Sequence, residues 1–221
     1  MSERVKIILD KNADILRLPA IALRGLVVFP GNIIHFEVGR KKSIAAIEWA
    51  MSNNNAVFLT AQQDMDVEDP GFKDLYAYGV VAEVKQVLRV SDELVKVLVE
   101  GKYRAKLLTL DSSGRFLLAS TKAAALRGTK SVDSARMEAL VRSVKEVFEE
   151  YLSLNPRLSK DVVYTIITNE DAALLCDYIP ANLLLKYTDK QALLNEGTVS
   201  GRLEKLLEIL RRETKILHIE K

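Results

Sequence analysis

Few side chains in this sequence have the types and spacings that chemistry requires. The two histidines, His35 and His218, lie far apart, and the sole cysteine, Cys176, stands between apolar and acidic neighbours in an apolar segment. None of them falls into a CxxC, HExxH or comparable ligand spacing, so the sequence predicts no metal site and no catalytic residue. A cysteine in such a segment is typical of a buried, unreactive thiol.

Two charged clusters have simpler explanations than a ligand site. Residues 39–43 (GRKKS) end like a phosphate-binding loop but lack its glycines, although the start of the helix that follows can attract an anion weakly. The acidic residues between Asp64 and Asp69 lack the glycine and terminal glutamate of a calcium loop, which favours a solvated turn. We therefore expect no cofactor in this chain.

The hydrophobic content, net charge and cysteine count of the chain exclude several classes of protein. Hydrophobic residues make up 48% of the 221 residues, which is enough for ordinary cores, and the formal net charge is only +2. This balance argues against a nucleic-acid or membrane-surface protein, and the apolar run between Val5 and Leu9 is too short for a signal peptide or a membrane span. A single cysteine cannot form an internal disulfide, which favours the cytoplasm.

The elements that would position these residues fall into two groups. In the first half, Val80, Ala82 and Val84 alternate with charged residues, as in a strand with one buried face. Strands are predicted at residues 33–38, 56–61, 78–90, 94–110 and 115–123. One helix is predicted between them, at residues 41–52, with Ile44 and Met51 among its apolar positions. Short strands in this number favour a small barrel.

After Gly128 the apolar residues recur every three or four positions, which predicts helices. The predicted helices are residues 137–152, 160–168, 171–178 (ending before Pro180), one that starts with a capping box at Thr188, and 199–218. The last helix carries an apolar seam that we expect to pack within the chain. No glycine or proline marks the end of this helix, so we expect the sequence to be truncated at Lys221.

A series of phrases, in order, resembles the N-terminal, substrate-binding region of the Lon family of ATP-dependent serine proteases. The opening strand and turn are residues 18–31 (LPAIALRGLVVFPG), followed by residues 38–44 (VGRKKSI), 74–82 (DLYAYGVVA) and 97–101 (VLVEG). In the helical half, residues 151–156, 189–194 and 202–207 are similar to Lon phrases too. The resemblance covers residues 18–221.

This resemblance implies an α+β fold, with a PUA-like β pseudo-barrel containing one inserted helix (residues 1–125) followed by an all-α helical bundle that ends in a long helix (residues 126–221). It implies a non-catalytic segment that captures unfolded or degron-bearing proteins and helps to order a Lon hexamer. The ATPase that would bind ATP and Mg and the Ser-Lys peptidase are absent from this sequence, so the parent protein would carry the endopeptidase activity.

A receptor for unfolded chains needs exposed apolar side chains. The candidates for substrate contact are Met65 and Phe72, which lie among turn residues, and Phe29, Ile33 and Tyr76, with Phe36 also considered. Core packing competes with substrate contact at Phe36 and Tyr76 in particular. The candidates for contact with acidic tags or a neighbouring subunit are Arg40, Lys41 and Lys42, for which a solvated helix start is the alternative.

Two other classes of function stay open at this point. An RNA-binding PUA-like module predicts a basic face with exposed aromatic side chains, against which the near-neutral charge argues. A stand-alone protein-binding adaptor would need no ATPase, and the helix without a stop signal argues against it. Substrate identity, oligomeric state and the orientation of the two domains do not follow from the sequence.

Overall fold

The structure is a computed structural model that describes residues 15–128 and 134–221. The apolar run between Val5 and Leu9 lies outside these residues. The chain forms two compact units, Met1–Ala125 and Leu126–Lys221. The first unit is built on a sheet and the second on helices, so the predicted α+β class is confirmed.

Six strands form the sheet of the first unit. They are β1 (Leu16–Leu23), β2 (Ile33–Val38), β3 (Ala56–Ala61), β4 (Tyr78–Ser91), β5 (Leu94–Asp111) and β6 (Leu117–Ala123). The order is β2-β5-β4-β3-β1-β6, and β5 also pairs with β6, so the sheet closes on itself. β2 joins only the first half of β5, because the second half pairs with β6.

One helix, α1 (Lys41–Asn53), packs against the apolar interior of this sheet. Ile44 and Ile47 are buried, as their helical spacing predicts. Met51 recurs at the same helical spacing but is 44% exposed. Its place near the end of the helix carries it beyond the edge of the core.

The pairing of β4 with β5 changes which side chains face the interior. Val80, Ala82 and Val84 are buried, as predicted from their alternation. A register shift between Val84 and Gln86 then reverses the alternation, because each extra residue moves the next side chain to the opposite face. Leu88 is consequently 59% exposed and Val90 is 55% exposed.

The second unit consists of five described helices: α2 (Ser134–Leu154), α3 (Lys160–Thr168), α4 (Ala172–Asn182), α5 (Tyr187–Asn195) and α6 (Val199–Glu220). α2 packs along α6, and α4 and α5 also contact α6. The seam of α6 is buried within this unit at Val199, Leu203, Leu206 and Leu210, as the sequence analysis favoured.

Two predicted helix limits were wrong. Helix α4 continues through Pro180 to Asn182, and beyond the proline the amide of Leu183 still bonds to the Ile179 carbonyl. Helix α5 begins at Tyr187, before the proposed cap at Thr188. The carboxylate of Asp189, in the first turn of α5, pairs with Arg212 of α6.

Candidate functional site

The candidates for substrate contact differ in exposure. Phe29 is fully buried, so it presents no surface to a ligand in this fold and is corrected to a core residue. Phe36 and Tyr76 are half-buried, and Phe36 packs against the core. Ile33 is 63% exposed on β2, while Met65 and Phe72 are 45% and 48% exposed on the segment between β3 and β4.

The segment that carries Met65 and Phe72, residues 62–76, is held in place by the buried side chain of Gln62. The Gln62 amide nitrogen donates to the carbonyls of Asp64, at 3.0 Å, and Val67, at 2.9 Å. Its carbonyl oxygen accepts a hydrogen bond from Arg40. A buried amide with these partners restrains the backbone that turns around it.

Arg40 reaches the same segment from the start of α1. Its guanidinium donates to the carbonyls of Ala22, at 3.2 Å, and Val67, at 3.4 Å. Burial, and secondarily the nearby Arg24, lowers the pKa of Arg40 from its ordinary value. This side chain is therefore engaged within its own unit, which weakens its candidacy for contact with an acidic tag or a neighbouring subunit.

The far end of residues 62–76 is closed by hydrogen bonds around a short 3₁₀ turn, Phe72–Asp74. The carboxylate of Asp74 accepts a hydrogen bond from the backbone amide of Gly71 at 2.8 Å. The backbone amide of Gln63 donates to the backbone carbonyl of Asp74 at 2.8 Å. The buried side chain of Leu75 anchors this end in the core. Phe72 thus projects from a braced turn.

Met65 lies over the backbone of Gly25. Gly25 has φ +65°, the left-handed region that favours glycine, and a Cβ placed there would lie 3.0 Å from the sulfur of Met65. The absence of a side chain at Gly25 leaves the space that the methionine occupies. Met65 therefore has a defined position although nearly half of its surface is exposed.

The two lysines of the charged cluster have different surroundings. Lys42 pairs with Asp69 at 3.2 Å and donates to the carbonyl of Ser112 at 3.2 Å. Lys41 is exposed at the first position of α1. Lys41 is thus the member of the predicted trio that is most available to another molecule.

The residues singled out for chemistry are dispersed in the fold. Cys176 is fully buried, its thiol donates to the carbonyl of Val199 at 3.6 Å, and burial raises its pKa to about 12. His218 contacts Glu150 at 2.9 Å on the surface of the second unit. Among residues 15–128 and 134–221, no three potential metal ligands come together, and no helix is long and apolar enough to cross a membrane.

β2, β5 and β4 form an apolar surface that did not follow from the sequence. Leu88 and Leu98 line a hollow of ≈ 320 Å³ there with His35, and Ile33 and Val90 are exposed on the same strands. The register shift in β4 places Leu88 on this surface, and the sequence shows no local sign of that shift. Exposed apolar side chains also occur on the helical unit, at Tyr164 and Leu184.

Comparison with known proteins gives a consistent result. A family model described as the ATP-dependent protease La (LON) substrate-binding domain matches residues 17–212. Lon protease of Desulforamulus reducens is 37% identical over 210 residues, or 95% of this chain, and Lon protease of Escherichia coli K12 is 36% identical over 211 residues, or 96% of it. The chain spans only 26% of the length of each of these relatives.

Two solved structures share the fold. The N-terminal domain of a Mycobacterium avium complex Lon protease aligns with a TM-score of 0.71 at 20% identity, covering 89% of this chain and 98% of that one. The Lon N-terminal domain protein from Xanthomonas campestris aligns with a TM-score of 0.61 at 15% identity, covering 87% and 98%.

Proposed function

The chain belongs to the family of Lon substrate-binding domains, and from that premise we propose that it captures unfolded or degron-bearing proteins through exposed apolar side chains. Met65 and Phe72 are the principal contacts, and Ile33 adds to them. The segment is non-catalytic and serves a parent protease whose ATPase, with ATP and Mg, and serine peptidase lie outside this sequence. A cytoplasmic location and a role in ordering a Lon assembly, with Lys41 as the available cation, belong to the same proposal.

The observation that supports this proposal is the bracing of residues 62–76. Unfolded chains differ from folded ones in exposing apolar side chains. A receptor for them gains affinity when its own apolar side chains are already held in fixed, solvent-exposed positions. The buried side chain of Gln62 and the turn at Phe72–Asp74 hold two large apolar side chains in such positions. These two side chains then lose little conformational entropy when a partner binds.

The charges on the outer face of the sheet argue against RNA as the partner. Lys85 contacts Glu83 and Glu100 at 2.8 Å each, and Lys102 contacts the same two carboxylates at 3.0 and 2.7 Å. Lysines matched in this way offer little net positive potential to phosphates.

The test is an anisotropy titration of the chain into a fluorescein-labelled, reduced and carboxymethylated protein that stays unfolded. We expect binding that tolerates salt, and about tenfold weaker binding for Met65→Ser and Phe72→Ser, because truncating a contacting apolar side chain costs about 1–2 kcal/mol. Tyr164→Ser is the matched control, since it removes an exposed apolar side chain of the helical unit.

Circular dichroism checks that each variant is folded. The native, disulfide-bonded form of the labelled protein and a single-stranded RNA serve as parallel ligands. Equal binding by all three variants would remove Met65 and Phe72 from the proposal. Binding of RNA alone, released by salt, would replace protein capture with RNA binding.

A further inference from the structure

Strand β2 has an edge that no described strand covers. Within the described part of the chain, β2 pairs with β5 alone. The amide of Gly101 donates to the carbonyl of Asn32 at 2.9 Å and its carbonyl accepts from the amide of Gly31 at 2.8 Å, so Gly31 and Asn32 together form a hydrogen-bonded pair with Gly101. Because such pairs alternate in an antiparallel ladder, the backbone groups of Ile33, His35 and Glu37 point away from β5.

This edge lacks three of the features with which proteins protect an exposed strand, although it carries one charged side chain, Glu37. The sequence of β2, IIHFEV, contains neither lysine nor proline, and its register with β5 runs from Ile33 to Val38 without a bulge. The neighbouring pairing of β4 with β5 contains three register shifts. A regular, unprotected edge is a template for a further strand.

Space for side chains lies on both faces beside this edge. On the outer face, His35 of β2 borders the hollow of ≈ 320 Å³, and the other residues that line it, among them Leu88, Leu98 and Lys96, lie on β4 and β5. On the inner side, a cleft of ≈ 430 Å³ lies between β2 and the end of β1, with Phe36 on one wall and Leu26 on the other. Successive side chains of an added strand would point alternately to these two faces.

The far wall of the cleft is itself incompletely paired. β1 pairs with β6 only as far as Ala20, and the residues from Ile21 to Leu23 pair with β3 alone. Within residues 15–128, no strand therefore joins β2 to this part of β1. Arg40 crosses the opening and donates to the carbonyl of Ala22 at 3.2 Å.

We propose that the β2 edge binds an extended, unstructured segment of a substrate protein as an additional strand. The inference rests on the proposed function and deepens it by specifying the conformation of the bound chain. Backbone hydrogen bonds to Ile33, His35 and Glu37 would supply affinity that does not depend on substrate sequence. The cleft, which Phe36 and Leu26 line, would favour apolar side chains at every second position of the bound segment.

The probe is a fluorescein-labelled nonapeptide of alternating threonine and valine residues with a lysine at each end, compared with the same peptide N-methylated at its central amides. N-methylation removes backbone donors and keeps the apolar side chains. We expect the unmodified peptide to bind and the methylated one to bind at least about tenfold more weakly, because two or three hydrogen bonds are lost. Equal binding of the two peptides would overturn the proposal.

The protein variant is His35→Pro, which removes one outward-pointing amide at an edge position where proline is tolerated. We expect it to weaken binding of the unmodified peptide about tenfold. His35→Ala is the matched reference, since it removes the same side chain and keeps the amide, and His35→Pro should bind about tenfold more weakly than His35→Ala. If His35→Pro does not fold, the methylated peptide alone decides.

Two results separate this proposal from the proposed function. Binding of the unfolded protein, with no effect of N-methylation or of His35→Pro, would overturn strand addition and leave apolar capture standing. A dimer of the chain that disappears in His35→Pro, without peptide binding, would assign the edge to a second copy and overturn the proposal.

Discussion

At the scale of single residues, the buried side chain of Gln62 restrains the backbone on both sides of Met65. Its three hydrogen bonds connect residues 62–76 to themselves and to Arg40. A buried polar group that loses its partner costs about 1–3 kcal/mol. The position of Met65 therefore depends on the side-chain amide of Gln62, which is itself buried.

We predict that Gln62→Met, which keeps the size of the side chain and removes its hydrogen bonds, lowers the free energy of unfolding by about 1–3 kcal/mol. Urea unfolding measures this loss. Hydrogen exchange at residues 63–74 should accelerate, and binding of the unfolded protein should weaken, because the segment is no longer held.

Gln63→Met is the control for this prediction, since its side chain is exposed and water can replace its hydrogen bonds to backbone carbonyls. We expect little change in stability. Unchanged exchange in Gln62→Met would show that Arg40 and the turn at Phe72–Asp74 hold the segment without it.

The difference between Phe29 and Ile33 shows the limit of sequence analysis at this scale. Both are apolar and adjoin the first turn, yet Phe29 is buried and Ile33 is 63% exposed. The backbone of Phe29 lies against Gly101, where a Cβ would come within 2.2 Å of the Phe29 carbonyl oxygen. Contacts with residues about seventy positions away decide such burial, and no local pattern encodes them.

At the scale of elements, most limits of strands and helices could be predicted because periodicity and turn residues are local signals. The exceptions have non-local causes. The shift at Val84 turned Leu88 and Val90 outward, and α5, whose first turn pairs with α6, begins before the predicted cap at Thr188. The apolar surface beside β2 was missed for the first of these reasons.

We predict that Gly101→Ala destabilises the first unit by about 1–3 kcal/mol, because the added methyl group must displace the backbone at Phe29. Thermal or urea unfolding measures the change. The same substitution should disturb the start of β2, since Gly101 exchanges backbone hydrogen bonds with Gly31 and Asn32.

Gly114→Ala is the matched control for Gly101→Ala. Its added Cβ would have no atom nearer than the Phe116 carbonyl oxygen at 3.8 Å, so we expect nearly unchanged stability. Equal losses in the two variants would mean that the close approach of Phe29 to Gly101 is relieved at little cost.

At the scale of the whole molecule, the apolar seam of α6 is already used. Its residues from Val199 to Leu210 are buried within the helical unit by α2, α4 and α5. A coiled coil between chains would need this same stripe, so the seam does not drive association.

We predict that the isolated chain is chiefly monomeric at micromolar concentration. Light scattering coupled to size-exclusion chromatography should give a mass near 24.7 kDa. Ile216→Ser, at an exposed apolar position near the end of α6, should leave that mass unchanged. A stable hexamer would contradict the prediction and show that this segment holds an assembly together by itself.

The burial of Cys176 offers a way to measure how often the helical unit opens. The first unit contains no cysteine, and the thiol of Cys176 is closed between α4 and the start of α6 with a pKa of about 12. A thiol reagent can react only after these helices separate, so its rate of incorporation into native protein would time the transient opening of this unit alone. The first unit would not react in the same experiment. The rate of reaction therefore reports the motion of the helical unit alone, and no cysteine has to be introduced.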